Sequence, residues 1–466
     1  MENTNISSDQ NEIDPVEFVK KKYIFTERKS LYQLFIPIFC ETLFMILAGM
    51  VDTLMLSSEG DQAVGAVGTS NTYISLFIIM FSIISSGMVA VMTQFIGSGR
   101  PAVAHRAMRL GLIFNSIIGI AVTVVLVIGA EPILRAVGIA RDLEEPARIY
   151  LQTVGMFCIC NALTPIMSSY LRSFGHTSPT LVATVVSNIV NVVLNAVFLF
   201  VAHWGVFGVA LATGISRVVN LIWIVVAAKR LVKPTEEANL PPDSEIFKKI
   251  ICVGLPAAME IVFYNIAITA VISMLNRMDD SGMQTTARAY THQISNFTYC
   301  VSAALANANA VIVGWHIGAG EIDECIKSTR KSVLIGICAS IAVGGAAAIF
   351  YRPLVGLFTE NPDMISLVGM LLAVDVLLEV GRSMNLIYGF ALKTSGDAMF
   401  PMTIAVVFMF LCAVGGTWLF GMRAGLLAFG AYIGMALDEC VRAALMCIRW
   451  RGGRWRKLLL VNSGKS

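Results

Sequence analysis

The sequence predicts an all-α integral membrane protein whose 12 transmembrane helices fall into two pseudo-symmetric halves of six. Three observations lead there: an apolar composition, a succession of segments each long enough to cross a bilayer, and an internal repeat. Of 466 residues, 56% are hydrophobic and 14% charged, with a mean hydropathy of +0.74. An ordinary soluble domain carries about 25% charged residues. The net charge of +3 implies no nucleic-acid partner. The ten cysteines lie mostly in apolar stretches without metal-ligand spacing, so they read as small buried hydrophobes.

In chain order, residues 1–30 form a polar leader lacking the apolar core and small-residue cleavage site of a signal peptide. Its residues 15–26 surround three lysines with aromatic side chains, a pattern for a short membrane-surface helix or for a solvated leader. A helix needs about 20 mostly apolar residues to span the hydrocarbon core. Segments of that kind centre near Ile46, Phe81, Gly119, Cys160, Val192, Val219, Thr269, Ser302, Ala339, Leu377, Met409 and Met435. Residues 231–247, with prolines and mixed charges, form a linker between bundles at 31–230 and 248–450, and a basic tail occupies 451–466.

Lys and Arg concentrate in cytoplasmic loops of membrane proteins. With the N-terminus inside, 24 of the 34 basic residues fall in the tails and even-numbered connections. Both termini are therefore expected in the cytoplasm, the chain being a multi-pass protein of the cell membrane.

The halves repeat at an offset near 220 residues. Pro37 with Glu41 recurs as Pro256 with Glu260. The loop QFIGSGR, with Gly97 and Gly99, recurs as WHIGAGE, with Gly318 and Gly320. LRSFGHTSP from Leu171 recurs as LKTSGDAMFP from Leu392. An even number of spans per half gives both repeats the same orientation, with their axis along the membrane normal and the substrate site between them.

Ionisable groups inside a membrane are expensive and mark ion or substrate pathways. Glu41 and Asp52 lie eleven residues apart in the first span, on nearly one helical face and roughly 16 Å apart. Asp375, Glu379 and Arg382 form one stripe in the tenth span, Asn385 following a turn on, with Glu379 expected to pair with Arg382. Asn188, Asn191 and Asn195 form a stripe in the fifth, where amides glue helices or face a cation near Asp52. Arg217, and the group Asp438, Glu439 and Arg442, read as structural pairings. His292, Gln293 and Asn296 are candidate cavity residues, and methionines such as Met45, Met88 and Met259 suit a compliant apolar wall. Pro37, Pro165 and Pro256 are candidate kinks.

VDTLMLS at Val51, the Gly-x-Gly loop after span two, LRSFGHTSP with SNIVNVVLN, LPAAME at Leu255, and EVGRSMN with LKTSGD together resemble the multidrug and toxic compound extrusion (MATE) family of cation-coupled exporters. The resemblance covers about residues 30–450. It implies two six-helix bundles (6+6) around a central cavity, alternating access, and export of amphipathic, often cationic, organic compounds against H⁺ or Na⁺. It also links Asp52 to cation coupling, with Na⁺ near it as one form. The sequence departs from some branches: Asn195 stands where they carry a second acid, and Tyr264 where others place a glutamate. The coupling candidates are therefore Asp52, Glu41, Asn191, Asn195, Glu260, Asp375, Glu379 and Arg382. No phosphate-binding or metalloprotease motif is present, so an enzyme is not expected, nor a cofactor beyond the coupling ion. The alternatives are a lipid-linked precursor flippase, which would want a wide cationic cavity, and a passive channel. The expected partners are small organic substrates and membrane lipid, and a two-bundle carrier works as a monomer.

Overall fold

A computed structural model describes residues 28–461 apart from 138–140, 234, 236, 238, 239 and 280. The leader helix expected within 15–26 lies outside the described residues. Among the described residues twelve long helical segments follow the twelve expected ones, and ten of them, or eleven with the bent fourth counted as one, are long and apolar enough by themselves to cross a membrane. In the first half they are α1 (Leu31–Leu56), α2 (Asp61–Gly97), α3 (Pro101–Ile128), α4 (Arg141–Met156 continued by Cys158–Ser173), α5 (Ser178–Ala196, extended to Val201) and α6 (Gly205–Leu231). In the second they are α7 (Asp243–Met278), α8 (Met283–Gly318), α9 (Ile322–Ile349), α10 (Pro362–Ser395), α11 (Met399–Phe408, extended to Arg423) and α12 (Leu427–Arg451).

Local chemistry sets the helix ends. Ser30 N–H donates to the Gln33 side chain at the start of α1 (2.8 Å). Asn361 caps α10 by accepting from the Asp363 amide (2.9 Å). Pro101 and Pro362 sit in the first turns of α3 and α10, where a missing N–H costs nothing. The two parts of α4 meet at a 46° bend. α12 is the least obviously apolar span because Asp438, Glu439 and Arg442 are buried within it.

The duplication extends beyond the motifs. A short helix at Ala130–Val137 has its counterpart at Tyr351–Val355. The fifth span of each half ends in widened, π-type turns, Val197–Val201 and Thr417–Arg423. Gly175 and Gly396 both take the left-handed conformation, with φ of 80° and 104°, and so end α4 and α10 alike.

The halves meet through α1 on α8, and α2 on α7 and α8. The contact is concentrated at the end carrying the linker. There one apolar core joins Ile84, Met92 and Phe95 of α2 with Ile250 and Val253 of α7 and Val311 and Trp315 of α8. Backbones approach so closely that a Cβ on Gly97 would lie 2.3 Å from the Trp315 carbonyl oxygen, and one on Gly318 would lie 1.9 Å from that of Gln94. Toward the other end each half has its own core, around Phe81, Leu126 and Leu151 in the first and around Leu275, Leu371 and Tyr432 in the second. The halves are therefore sealed at the linker end and separate at the other.

Candidate functional site

Separation of the halves opens a cavity of about 660 Å³ between α1 and α8, lined by Ile46, Gly49, Met50, Thr53, Leu54, Ser57, Gln293 and Asn296. Its wall is apolar with neutral hydroxyls and amides. Gln293 and Asn296 reach it as the sequence suggests; His292 is exposed on α8 but is not among the lining residues.

Asp52 adjoins this wall on α1, next to Thr53. Its Oδ1 accepts from Asn195 Nδ2 of α5 at 2.9 Å, and the same amide reaches Asn191 Oδ1 at 3.4 Å. Asn195 is fully buried and its Oδ1 has no partner. Arg217 of α6 is the cation whose field reaches this carboxylate. Asn191 and Asn195, one turn apart, thus set an amide NH2 between the Asp52 carboxylate and the Asn191 oxygen, a buried polar cluster of the kind that marks ion or proton pathways in membrane proteins. No cluster of three or more His, Cys, Asp or Glu side chains poised for a metal occurs among the described residues. Asn188, the third of the stripe, instead donates to the Phe44 carbonyl at 3.0 Å and ties α5 to α1.

Glu41 lies away from the cavity wall. It is 6% exposed, accepting from Arg172 Nη2 of α4 at 2.7 Å and from the Thr180 hydroxyl of α5 at 2.8 Å. Glu260 forms an ion pair with Lys393 of α10, its Oε2 2.7 Å from the ammonium nitrogen. Glu41 with Arg172 and Glu260 with Lys393 are repeat-related ion pairs, each joining the first span of a half to its fourth. The signal was present in the sequence: the base in LRSFG and in LKTSG recurs at the same offset as the acid in Pro-x-x-x-Glu. One helix's periodicity gives no sight of that partner.

The second half carries a larger network. Asp375 accepts from the Ser295 hydroxyl of α8. Glu379, fully buried, accepts from Arg382 as the stripe predicts. Arg382 also reaches Glu439 Oε1 of α12 at 3.4 Å, and Asn385 donates to Glu439 Oε2 at 2.7 Å. Arg442 grips Asp438 with two bonds, at 2.9 and 2.6 Å, and contacts Glu439 at 3.0 Å. The sequence placed the α10 trio and the α12 group separately; packing makes them one system of four carboxylates and two guanidiniums. Glu379 Oε2 remains buried without a partner. An acidic excess inside a membrane protein demands a proton, a cation or nearby water.

Two like-oriented six-helix bundles, sealed at one end over a cavity open at the other, define a membrane transporter of the carrier class. The MatE family model matches residues 37–197 and again 256–419, one match to each half, and the chain belongs to that family. Over 432 residues it is 33% identical to an uncharacterized transporter, YisQ, of Bacillus subtilis, covering 91% of this chain and 94% of the relative. It is 24% identical over 455 residues to a probable multidrug resistance protein, NorM, of Thermotoga maritima, covering 94% and 96%. Among solved structures, a MATE transporter of the MOP superfamily described as outward-facing superposes with a TM-score of 0.84 at 20% identity, over 92% of this chain and 96% of that one. A MATE in a described bent conformation gives 0.84 at 20% identity over 95% and 98%. These structures have the same twelve-helix fold.

Proposed function

We propose that this chain is a secondary active exporter that releases amphipathic, often cationic, organic compounds in exchange for H⁺ or Na⁺ by alternating access. The observation that carries the reading is the cavity between the halves, open at one end only, with the Asp52–Asn195 pair set directly behind its wall. Binding of the coupling ion at Asp52 changes the charge one residue from Thr53, so ion and substrate occupy adjoining places and compete through α1. The acidic network of α10 and α12 is a second place where protons or cations are taken up. Glu41, Glu260 and Arg382 serve as ion-pair partners that hold helices in register.

The excess of basic residues at the linker end supports a cytoplasmic location for that end and for both termini, and in this reading the cavity opens outward. The cavity wall favours organic compounds over a lipid-linked precursor, whose phosphates would need bases that the lining does not supply. Relatives named as multidrug resistance proteins support the same substrate class. In this reading the coupling ion is the one cofactor and a single chain acts as the transport unit.

The test is efflux of a fluorescent organic cation from proteoliposomes under an imposed pH gradient or Na⁺ gradient, applied separately. One of the two should drive transport. Lipid scrambling without driven efflux would overturn the reading.

A further inference from the structure

Beside its apolar core, the linker-end seal carries two hydrogen bonds that the duplication makes reciprocal. Gln94, near the end of α2, donates from Nε2 to the Thr394 carbonyl of α10 at 2.6 Å. Trp315, near the end of α8, donates from Nε1 to the Ser173 carbonyl of α4 at 2.9 Å. Gln94 and Trp315 are related by the repeat, and so are Ser173 and Thr394. Each half therefore reaches across the seam to the same carbonyl of the other, beside the close backbone contacts at Gly97 and Gly318.

Symmetry ends at the C-terminal tail. After α12 the chain turns at Gly452 and Gly453, the latter with φ of 68°. It buries Trp455 completely against Trp450, with ring centroids 4.4 Å apart, and crosses under α10, where a Cβ on Gly396 would meet the Leu458 carbonyl at 2.2 Å. The backbone amides of Leu460 and Val461 then donate to Gln94 Oε1, at 3.0 and 3.2 Å. One fully buried glutamine of the first half is thus held by two segments of the second. The tail is anchored on the second half, and its described part reaches the first at Leu460 and Val461.

We propose that residues 454–461 act as a strap which, through Gln94, reinforces the reciprocal latch and biases the transporter toward the state closed at the linker end. Access from that end requires α2 to leave α8 and α10, and the strap must then release Gln94. Releasing it without water at hand leaves a buried amide oxygen and two backbone donors unpaired, which is the physical source of the bias. This goes beyond the exporter reading and rests only on its alternating access. Hydrogen exchange reads the strap without any transport, so failure of the strap and failure of the efflux assay are distinguishable.

The experiment uses purified full-length protein in lipid nanodiscs, followed by hydrogen exchange at residues 90–99 and 313–320. The comparisons are Gln94→Ala, Leu460→Pro, a chain ending at Leu459, and Gln94→Ala combined with that truncation. Leu460→Pro keeps the tail length but removes one donor. Losing such bonds should speed exchange at both sites about two- to tenfold. The combined variant should exchange no faster than Gln94→Ala alone, because both changes break the same contact. Unchanged exchange in Leu460→Pro and in the truncation overturns the proposal. So do additive effects in the combined variant, or equal acceleration at residues 61–75 and 283–295, which would mark general loosening.

Discussion

Replacing Arg172 with leucine tests whether Glu41 belongs to a structural ion pair. The Glu41 side chain is 8% exposed and that of Arg172 is 23% exposed. Removing one partner of a fully buried pair costs about 3–5 kcal/mol, because the remaining charge has no compensation. Two features of the structure reduce this. Arg172 is partly solvated, so the pair is screened, and the Thr180 hydroxyl still donates to Glu41 Oε2. The expected loss for Arg172→Leu is therefore about 2–3 kcal/mol. Glu41→Gln leaves an arginine able to turn toward water and should cost about 1 kcal/mol. In the double variant the uncompensated charge is gone and glutamine still accepts from Thr180, so it should be more stable than Arg172→Leu alone, with a coupling of about 1–2 kcal/mol. The assay is the inactivation half-life at fixed temperature in detergent, the appropriate measure where unfolding is irreversible. A double variant that loses as much as the two single variants summed would refute the pairing. Full efflux in the double variant would separate Glu41 from coupling; lost efflux with restored stability would put it back among the coupling groups.

Asp52→Asn keeps the shape of the side chain but removes the charge accepting from Asn195, and should abolish gradient-driven efflux while the protein still inserts, as checked by membrane fractionation beside the transport assay. A valine at Gly318 places side-chain atoms against the α2 backbone at Gln94 and should prevent closure at the linker end, seen as faster hydrogen exchange at residues 90–99 with slower efflux. Arg442→Met strands Asp438 and Glu439 without their shared cation and should destabilise by about 3–5 kcal/mol in the same inactivation assay, more than Arg172→Leu, because Arg442 is 3% exposed. Glu321, in the connection after α8, gives a pH dependence. Burial pushes its carboxyl up, but hydrogen bonds from Arg28 and His316 outweigh that and hold it below its ordinary value of 4.5. A lowered folded value means the contact stabilises above the ordinary carboxyl range and is lost as pH falls through the folded value. Exchange at residues 28–31 should rise in that acidic window relative to Glu321→Gln, which should show no such step.

Much of the architecture was legible in the chain because a bilayer imposes a length and a polarity on every span. Twelve apolar segments, their even count per half and the offset joining Pro37 to Pro256 required nothing beyond composition and spacing, and the family resemblance followed from motifs in order. Helical period also placed Asp375, Glu379 and Arg382 on one stripe and made the Glu379–Arg382 pair readable, since both groups lie on one helix. Tertiary structure decided what stands opposite each stripe: Asn195 against Asp52, Arg172 against Glu41, Ser295 against Asp375, and α12 joined to α10 through Glu439. It alone revealed that the halves close at the linker end and that the tail returns to Gln94. Periodicity reports which residues share a face of one helix. Which neighbour meets that face depends on helix rotation and crossing, and these follow from close packing at contacts such as Gly97 with Trp315, where segments more than two hundred residues apart come together.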